Sequence, residues 1–255
     1  MMLKKLESEL IKKTNPEKAK ILQRFFKTGN GQYGEGDIFL GIIVPEQRKI
    51  AKQFNNLSIK EIQELLSSNI HEKRLIALLI LIDKYKKADE KQKQDIFDFY
   101  LNNAKNINNW DLVDLSAPNI IGDFLLEKEK QLLYNLSKSE NLWEKRIAIV
   151  STYKFIKQDK FEDTLKISEI LLNDKHDLIH KAVGWMLREV GKRNQDVLEN
   201  FLKKYCRKSK GFSASSNIKN KSNIRRYKNM PRTMLRYAIE KFEEEKRKRY
   251  LNGKI

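Results

Sequence analysis

Apolar residues recur three and four positions apart along most of this chain, and short groups of Ser, Asn, Asp, Gly or Pro interrupt that rhythm, so the pattern predicts helix after helix. An amphipathic helix is expected over Met2 to Lys13. A second follows at once, with Asn15 as its cap and Pro16 in the first turn, where a missing N–H costs no hydrogen bond. Five of the ten glycines then fall between Gly29 and Gly41, which marks a loop with unusual backbone angles. That loop contains a formal G-x-G-x-x-G, but no strand precedes it and no βαβ pattern follows, so it reads as a loop shaped by packing between the first helices. Pro45 restarts the helical pattern through Gln47 to Phe54, and Ser58 with Glu61 forms a capping box for a helix running through Leu66.

A longer period lies over this pattern. Glu72-Lys73-Arg74 followed by an apolar run returns as Glu144-Lys145-Arg146 followed by another, a separation of 144 − 72 = 72 residues, or twice 36. The segment Trp110 to Asp114 opens a helix midway between them, and Lys181-Ala182-Val183 continues the series about 35 residues later. Two helices per unit at this period is the signature of HEAT or armadillo solenoids, so the chain is expected to be one all-α, curved domain over residues 1–255. In such a stack Arg74, the Trp110 helix, Arg146 and the Trp185 helix would line one concave surface.

Charge narrows the partner. The formal charge is +18, and so large a surplus points to a polyanion, with nucleic acid ahead of an anionic membrane surface. The longest apolar run, Leu75 to Ile82, is eight residues, too short to span a bilayer, and no leader pattern opens the chain. A soluble protein in the cytoplasm of a bacterial-type cell is therefore expected, with no membrane partner. Cys206 is the only cysteine, which excludes an internal disulfide and any multi-cysteine metal site. His176 and His180 are four apart but lack the glutamate of a zinc-protease motif, and they read as surface or capping histidines. Neither metal nor cofactor is expected.

The least ordinary stretch is Asn108 to Gly122. Asn109 is placed to cap a helix, and Asp111 in the first turn suits the helix dipole. Asp114 sits one turn further in, where the dipole no longer explains a carboxylate, and it shares a face with Trp110 four residues earlier. Two readings stand: a core Trp beside a salt-bridged Asp, or a ring and a carboxylate facing a substrate. Trp143 with Arg146, and Trp185 with Arg188, are likewise three apart on shared faces. Arg146 fits an ion pair to the adjacent repeat as well as it fits a functional role, and Trp185 taken alone fits core packing.

Together these residues resemble a family. N-W-D-L-V-D at Asn109 to Asp114, W-E-K-R at Trp143 to Arg146, A-V-G-W-M-L-R-E at Ala182 to Glu189, M-P-R-T-M-L-R-Y-A-I-E-K at Met230 to Lys241 and G-E-G-D-I-F-L-G at Gly34 to Gly41 are similar to segments of the AlkD-like DNA alkylation repair glycosylases. The resemblance covers roughly residues 20 to 250. It implies a right-handed superhelix of HEAT-like repeats with a concave basic face that cradles duplex DNA. It also implies hydrolysis of the N-glycosidic bond of cationic N3- or N7-alkylated purines, without cofactor or metal and without swinging the base into a closed pocket. Asp114 would be the catalytic carboxylate, Trp110 and Trp185 would cradle the deoxyribose, and Arg146 would hold a phosphate. Arg74, Lys181 and Arg188, with Arg225 and Arg226 of a basic insertion at Arg207 to Lys228, would add DNA contacts, and the protein would act as a monomer, associated with the nucleoid when bound. Two features depart from the family: Ile43 stands where relatives commonly carry Arg or Gln, and the insertion itself reads as a mobile basic loop. The alternatives are a non-catalytic HEAT-repeat protein binding damaged or branched DNA, and a protein-binding solenoid with an acidic partner.

Overall fold

A computed structural model describes residues 2–206 and 230–254. Among these residues the chain is helical with no strand, apart from an isolated parallel bridge between Ile38 and Ile70. It divides into two compact units, Met1–Lys128 and Glu129–Ile255. The basic insertion, with Arg225 and Arg226, lies outside the described residues.

The first unit comprises α1 (Met2–Lys12), α2 (Pro16–Phe25), α3 (Val44–Gln53), α4 (Ile59–Leu66), α5 (His71–Lys87), α6 (Glu90–Asn102), α7 (Trp110–Ser116) and the short α8 (Asp123–Leu125). Its boundaries follow local chemistry. Asn15 accepts the Lys18 N–H at 2.9 Å, with Pro16 in the first turn of α2. Ser58 and Glu61 form the reciprocal capping box of α4. The helix α5 is buried nearly all round, from Leu75 to Leu81, and serves as the post against which α3, α4 and α7 pack.

The glycine-rich loop between α2 and α3 is not left to itself. The Glu72 side chain is fully buried, and its Oε1 accepts the N–H groups of Leu40, Gly41 and Ile42 at 3.0, 2.9 and 3.2 Å. A carboxylate from α5 thus satisfies backbone donors that the loop cannot pair internally. Gly41 has φ +82°, and a Cβ there would lie 2.1 Å from the Asn15 carbonyl oxygen, so only glycine lets the loop pass this close to the start of α2. The expected loop shaped by packing is the one observed.

The second unit comprises α9 (Gln131–Ser137), α10 (Leu142–Ser151), α11 (Tyr153–Ile156), α12 (Glu162–Ile170), α13 (Asp177–Arg193), α14 (Gln195–Cys206), α15 (Arg232–Ala238) and α16 (Glu244–Leu251). Here α13 is the central post, packed on α10, α14 and most closely on α15. Gly184 makes that last contact possible: a Cβ at this position would meet the Tyr237 Cβ at 2.5 Å and the Met234 carbonyl oxygen at 2.6 Å. Cys206 is buried and free, and burial pushes its thiol up to about 12, so it acts as a core residue.

Candidate active site

Helix α7 carries the first candidate residues. Asn109 is fully buried; its Oδ1 accepts the Trp110 N–H at 2.8 Å while its Nδ2 donates to Asp37 Oδ2 at 3.1 Å. The cap therefore fixes where the helix starts against the glycine-rich loop. Asp114 lies one turn in and is partly exposed. Pro118, four residues on, has no N–H to give to the Asp114 carbonyl, and the chain widens into a π-turn over Pro118–Gly122, with the Gly122 N–H reaching the Ala117 carbonyl at 2.8 Å. Beneath this turn the Tyr100 hydroxyl is bonded to Ser116 Oγ at 2.8 Å. Burial, opposed by the Ser116 hydrogen bond and aided by the nearby charge of Asp114, keeps that phenol protonated well above its ordinary range.

Trp110 is held by an aromatic stack. Its ring lies 5.2 Å from Phe26 at an interplanar angle of 11°, Phe26 stacks on Phe39 at 4.9 Å, and Phe39 stacks on the His71 imidazole at 4.5 Å. Phe25, 61% exposed, meets Trp110 edge-on at 6.0 Å. The stack fixes the indole on one face and leaves part of it exposed.

His71 ends that stack inside a buried ion network. Its Nδ1 lies 3.1 Å from Asp37 Oδ2 and its Nε2 lies 2.8 Å from Asp111 Oδ2, so both nitrogens face carboxylates. Burial alone would lower the imidazole pKa, but hydrogen bonds to Asp111 and Asp37 outweigh it and raise the value to about 9. His71 is accordingly an imidazolium at neutral pH. Asp37 is held below the usual carboxylate range: burial opposes, and His71, Arg74 and Asn109 overcome it. Asp111, expected only to complement the dipole of α7, thus ties α7 to the first residue of α5. Its other oxygen, Oδ1, is buried and meets no donor among the described residues.

Arg74, expected on the DNA surface, instead is 4% exposed, with Nη2 at 2.7 Å from Asp37 Oδ1 and Nη1 donating to the Ser68 carbonyl at 3.2 Å. A phosphate would have to compete with Asp37 for this guanidinium. The physical reason is register: Arg74 is one turn from His71 and therefore points into the same buried network. Ile43 is 45% exposed at the mouth of an apolar cleft shared with Ile21 and Val44, at whose inner end lie His71 and Asp111.

In the second unit Arg146 is also turned inward. It is 5% exposed, and its Nη1 donates to the Leu178 carbonyl at 2.6 Å, which binds α10 to the first turn of α13. The two E-K-R segments therefore repeat in structure as well as sequence: Lys73 pairs with Glu7 and Lys145 with Asp174, both at 2.6 Å, while each arginine donates to a backbone carbonyl. Trp185 is partly exposed on α13, tilted against Tyr153 at 5.8 Å, with the Lys157 ammonium 4.7 Å from the Tyr153 ring. Lys181 and Arg188 stand on the same helix face, one turn to either side. Lys181 pairs with Asp177 at 2.7 Å, and Arg188 with Glu189 and Glu240. His176 caps α13 by accepting the Leu178 N–H at 3.1 Å, as expected, and His180 Nε2 lies 2.6 Å from the Asp174 carbonyl oxygen. Among the described residues no His, Cys, Asp and Glu cluster is arranged to hold a metal ion.

The residue that sequence reasoning missed is His71. Its one visible signal was a histidine immediately before the first E-K-R, at the point where the glycine-rich loop must be received.

The fold has solved counterparts. A predicted DNA alkylation repair enzyme from Enterococcus faecalis superimposes with a TM-score of 0.64 at 16% identity, over 91% of this chain and 98% of its own. AlkD2 from Streptococcus mutans superimposes with a TM-score of 0.51 at 16% identity, over 89% and 97%. At such identity the likeness speaks for the fold alone. No curated protein matches the chain significantly. The sequence profile of the DNA alkylation repair enzymes matches residues 6–242, nearly the whole length, and the chain belongs to that family.

Proposed function

We propose that this protein is a DNA glycosylase that hydrolyses the N-glycosidic bond of cationic N3- or N7-alkylated purines in duplex DNA, its HEAT-like repeats presenting a basic surface to the duplex. The observation that carries this reading is the pair on α7: a partly exposed carboxylate, Asp114, one turn from an indole, Trp110, that a stack of buried rings holds in place. An alkylated purine is cationic and departs as a neutral base, so the sugar left behind gains oxocarbenium character. A carboxylate stabilises that charge and orients the attacking water, and an indole face attracts it. Asp114 and Trp110 supply these two elements, and Trp185 offers a second indole on α13. Arg146 serves the same reaction by fixing the first turn of α13, on which Trp185 and Lys181 stand, and Arg188 and Lys181 extend toward DNA phosphates.

The test is single-turnover release of free 7-methylguanine from methylated duplex DNA by the parent protein and by Asp114→Asn. Release by the parent, with a loss of about a hundredfold or more in the variant at unchanged fold and DNA affinity, is expected. Full activity in a folded Asp114→Asn protein removes the catalytic assignment. DNA binding without release of any cationic purine adduct moves the protein to the non-catalytic reading.

A further inference from the structure

A second cleft, of about 400 Å³, lies in the second unit between α13, α15 and α16. Its walls carry three cations, Lys181, Arg236 and Arg247, and two carboxylates, Asp177 and Glu240. The carboxylates are already answered. Asp177 takes the Lys181 ammonium at 2.7 Å and a hydrogen bond from Thr233, and Glu240 takes Arg188 and Lys241. Arg236 and Arg247 thereby line one cleft with no carboxylate partner among the described residues, whereas Arg74, Arg188 and Arg193 each have one. The Nε–H of Arg247 is buried and meets no acceptor among the described residues. Two guanidinium groups on one cleft without counter-charge repel each other, and a buried donor left unmade is unfavourable, so an anion that accepts from both stabilises the arrangement.

We propose that this cleft is a seat for one internucleotide phosphodiester. The two non-bridging oxygens of a phosphodiester offer one acceptor site to each of Arg236 and Arg247. Tyr237 also lines the cleft and carries a neutral donor in its hydroxyl. The seat is well braced: Gly184 brings α15 against α13, and Arg232 Nη1 donates to the Leu251 carbonyl at 3.2 Å, tying α15 to the end of α16. It also lies one helical turn from Trp185, because Lys181 stands in both the cleft and the Lys181-Trp185-Arg188 face. The bound phosphate would fix the strand whose sugar meets that indole. This assignment rests on the DNA-binding reading above.

The experiment is the salt dependence of binding to an undamaged duplex by the full chain, its Arg236→Gln and Arg247→Gln variants and the double variant, with melting temperature as the check on folding. One shared phosphate predicts that each single variant weakens binding and that the double variant lowers the slope of log K against log salt by about 0.9, the value of one contact. An unchanged slope in the double variant overturns the seat, and a drop of about 1.8 overturns it as a single seat in favour of two separate contacts. Should the parent not bind duplex DNA, the DNA reading fails on its own, and the cleft is tested with a thymidine dinucleotide diester and with inorganic phosphate, read by the arginine Nε–H resonances. Shifts at Arg236 and Arg247 with the diester uphold the seat; shifts with inorganic phosphate alone, or none, overturn it.

Discussion

The Nε2 nitrogen of His71 lies 2.8 Å from Oδ2 of Asp111, joining the first turn of α5 to the first turn of α7 across 40 residues of sequence. The contact sets where α7 begins, and with it the direction in which Trp110 and Asp114 leave the helix. It also gives the two acidic residues of N-W-D-L-V-D different work: Asp111 holds the helix, while Asp114 remains partly exposed.

That division predicts opposite phenotypes. Asp111→Asn should lower the melting temperature, because the substitution leaves a buried imidazolium short of one counter-charge, while the release rate per folded molecule stays close to the parent value. Asp114→Asn should slow release by about a hundredfold or more, a far larger effect on rate than on melting. Thermal melts alongside single-turnover rates separate the two, and a stable but slow Asp111→Asn protein would show that the carboxylates share the catalytic task.

Stability should depend on pH through the same histidine. His71 has a folded pKa of about 9 against an ordinary value of 6.5, so the stabilisation it brings is fully present below about 6.5 and is lost as pH rises through about 9. Urea unfolding of the parent should therefore give a falling midpoint across that interval, and His71→Gln should be less stable at pH 6.5 and flatter above it. Equal pH slopes in the two proteins would contradict the imidazolium.

Arg146→Lys should lose stability as well as activity. The lysine ammonium cannot reproduce the planar fork that reaches the Leu178 carbonyl from a site only 5% exposed, and a charged group buried with fewer acceptors costs roughly 1–3 kcal/mol. Arg188→Lys, at a partly exposed position of α13 where lysine keeps a charge for Glu189 and Glu240, should change DNA affinity with a smaller effect on melting. A fully stable Arg146→Lys protein with normal release would make Arg146 a general positive charge.

Gly184→Ala should separate α15 from α13. The added methyl meets backbone at 2.6 Å, where no side chain can swing away, so a loss of about 1–3 kcal/mol is expected, together with weaker DNA binding through the Arg236 and Arg247 cleft. Hydrogen exchange should show α15 opening first. Unchanged protection in α15 would mean that the helices have slack to absorb the methyl.

What the sequence determined by itself was everything encoded within a few residues: the helical class, the Asn15 and Asn109 caps, the Ser58–Glu61 box, the glycine-rich loop and the shared face of Trp110 and Asp114. These depend on hydrogen bonds and side-chain spacing local to one turn, which the order of residues specifies directly. The tertiary structure decided which of the spaced residues point inward. Arg74 and Arg146 have the sequence context of surface cations, yet the faces of α5 and α10 on which they sit abut Asp37 and the start of α13. His71 gains its charge from carboxylates 34 and 40 positions away, and Arg236 and Arg247, from two different helices, share a cleft that α13 also lines. Such partnerships arise from which helix faces meet, and a buried charge takes whatever counter-charge that meeting supplies, so no local pattern announces them.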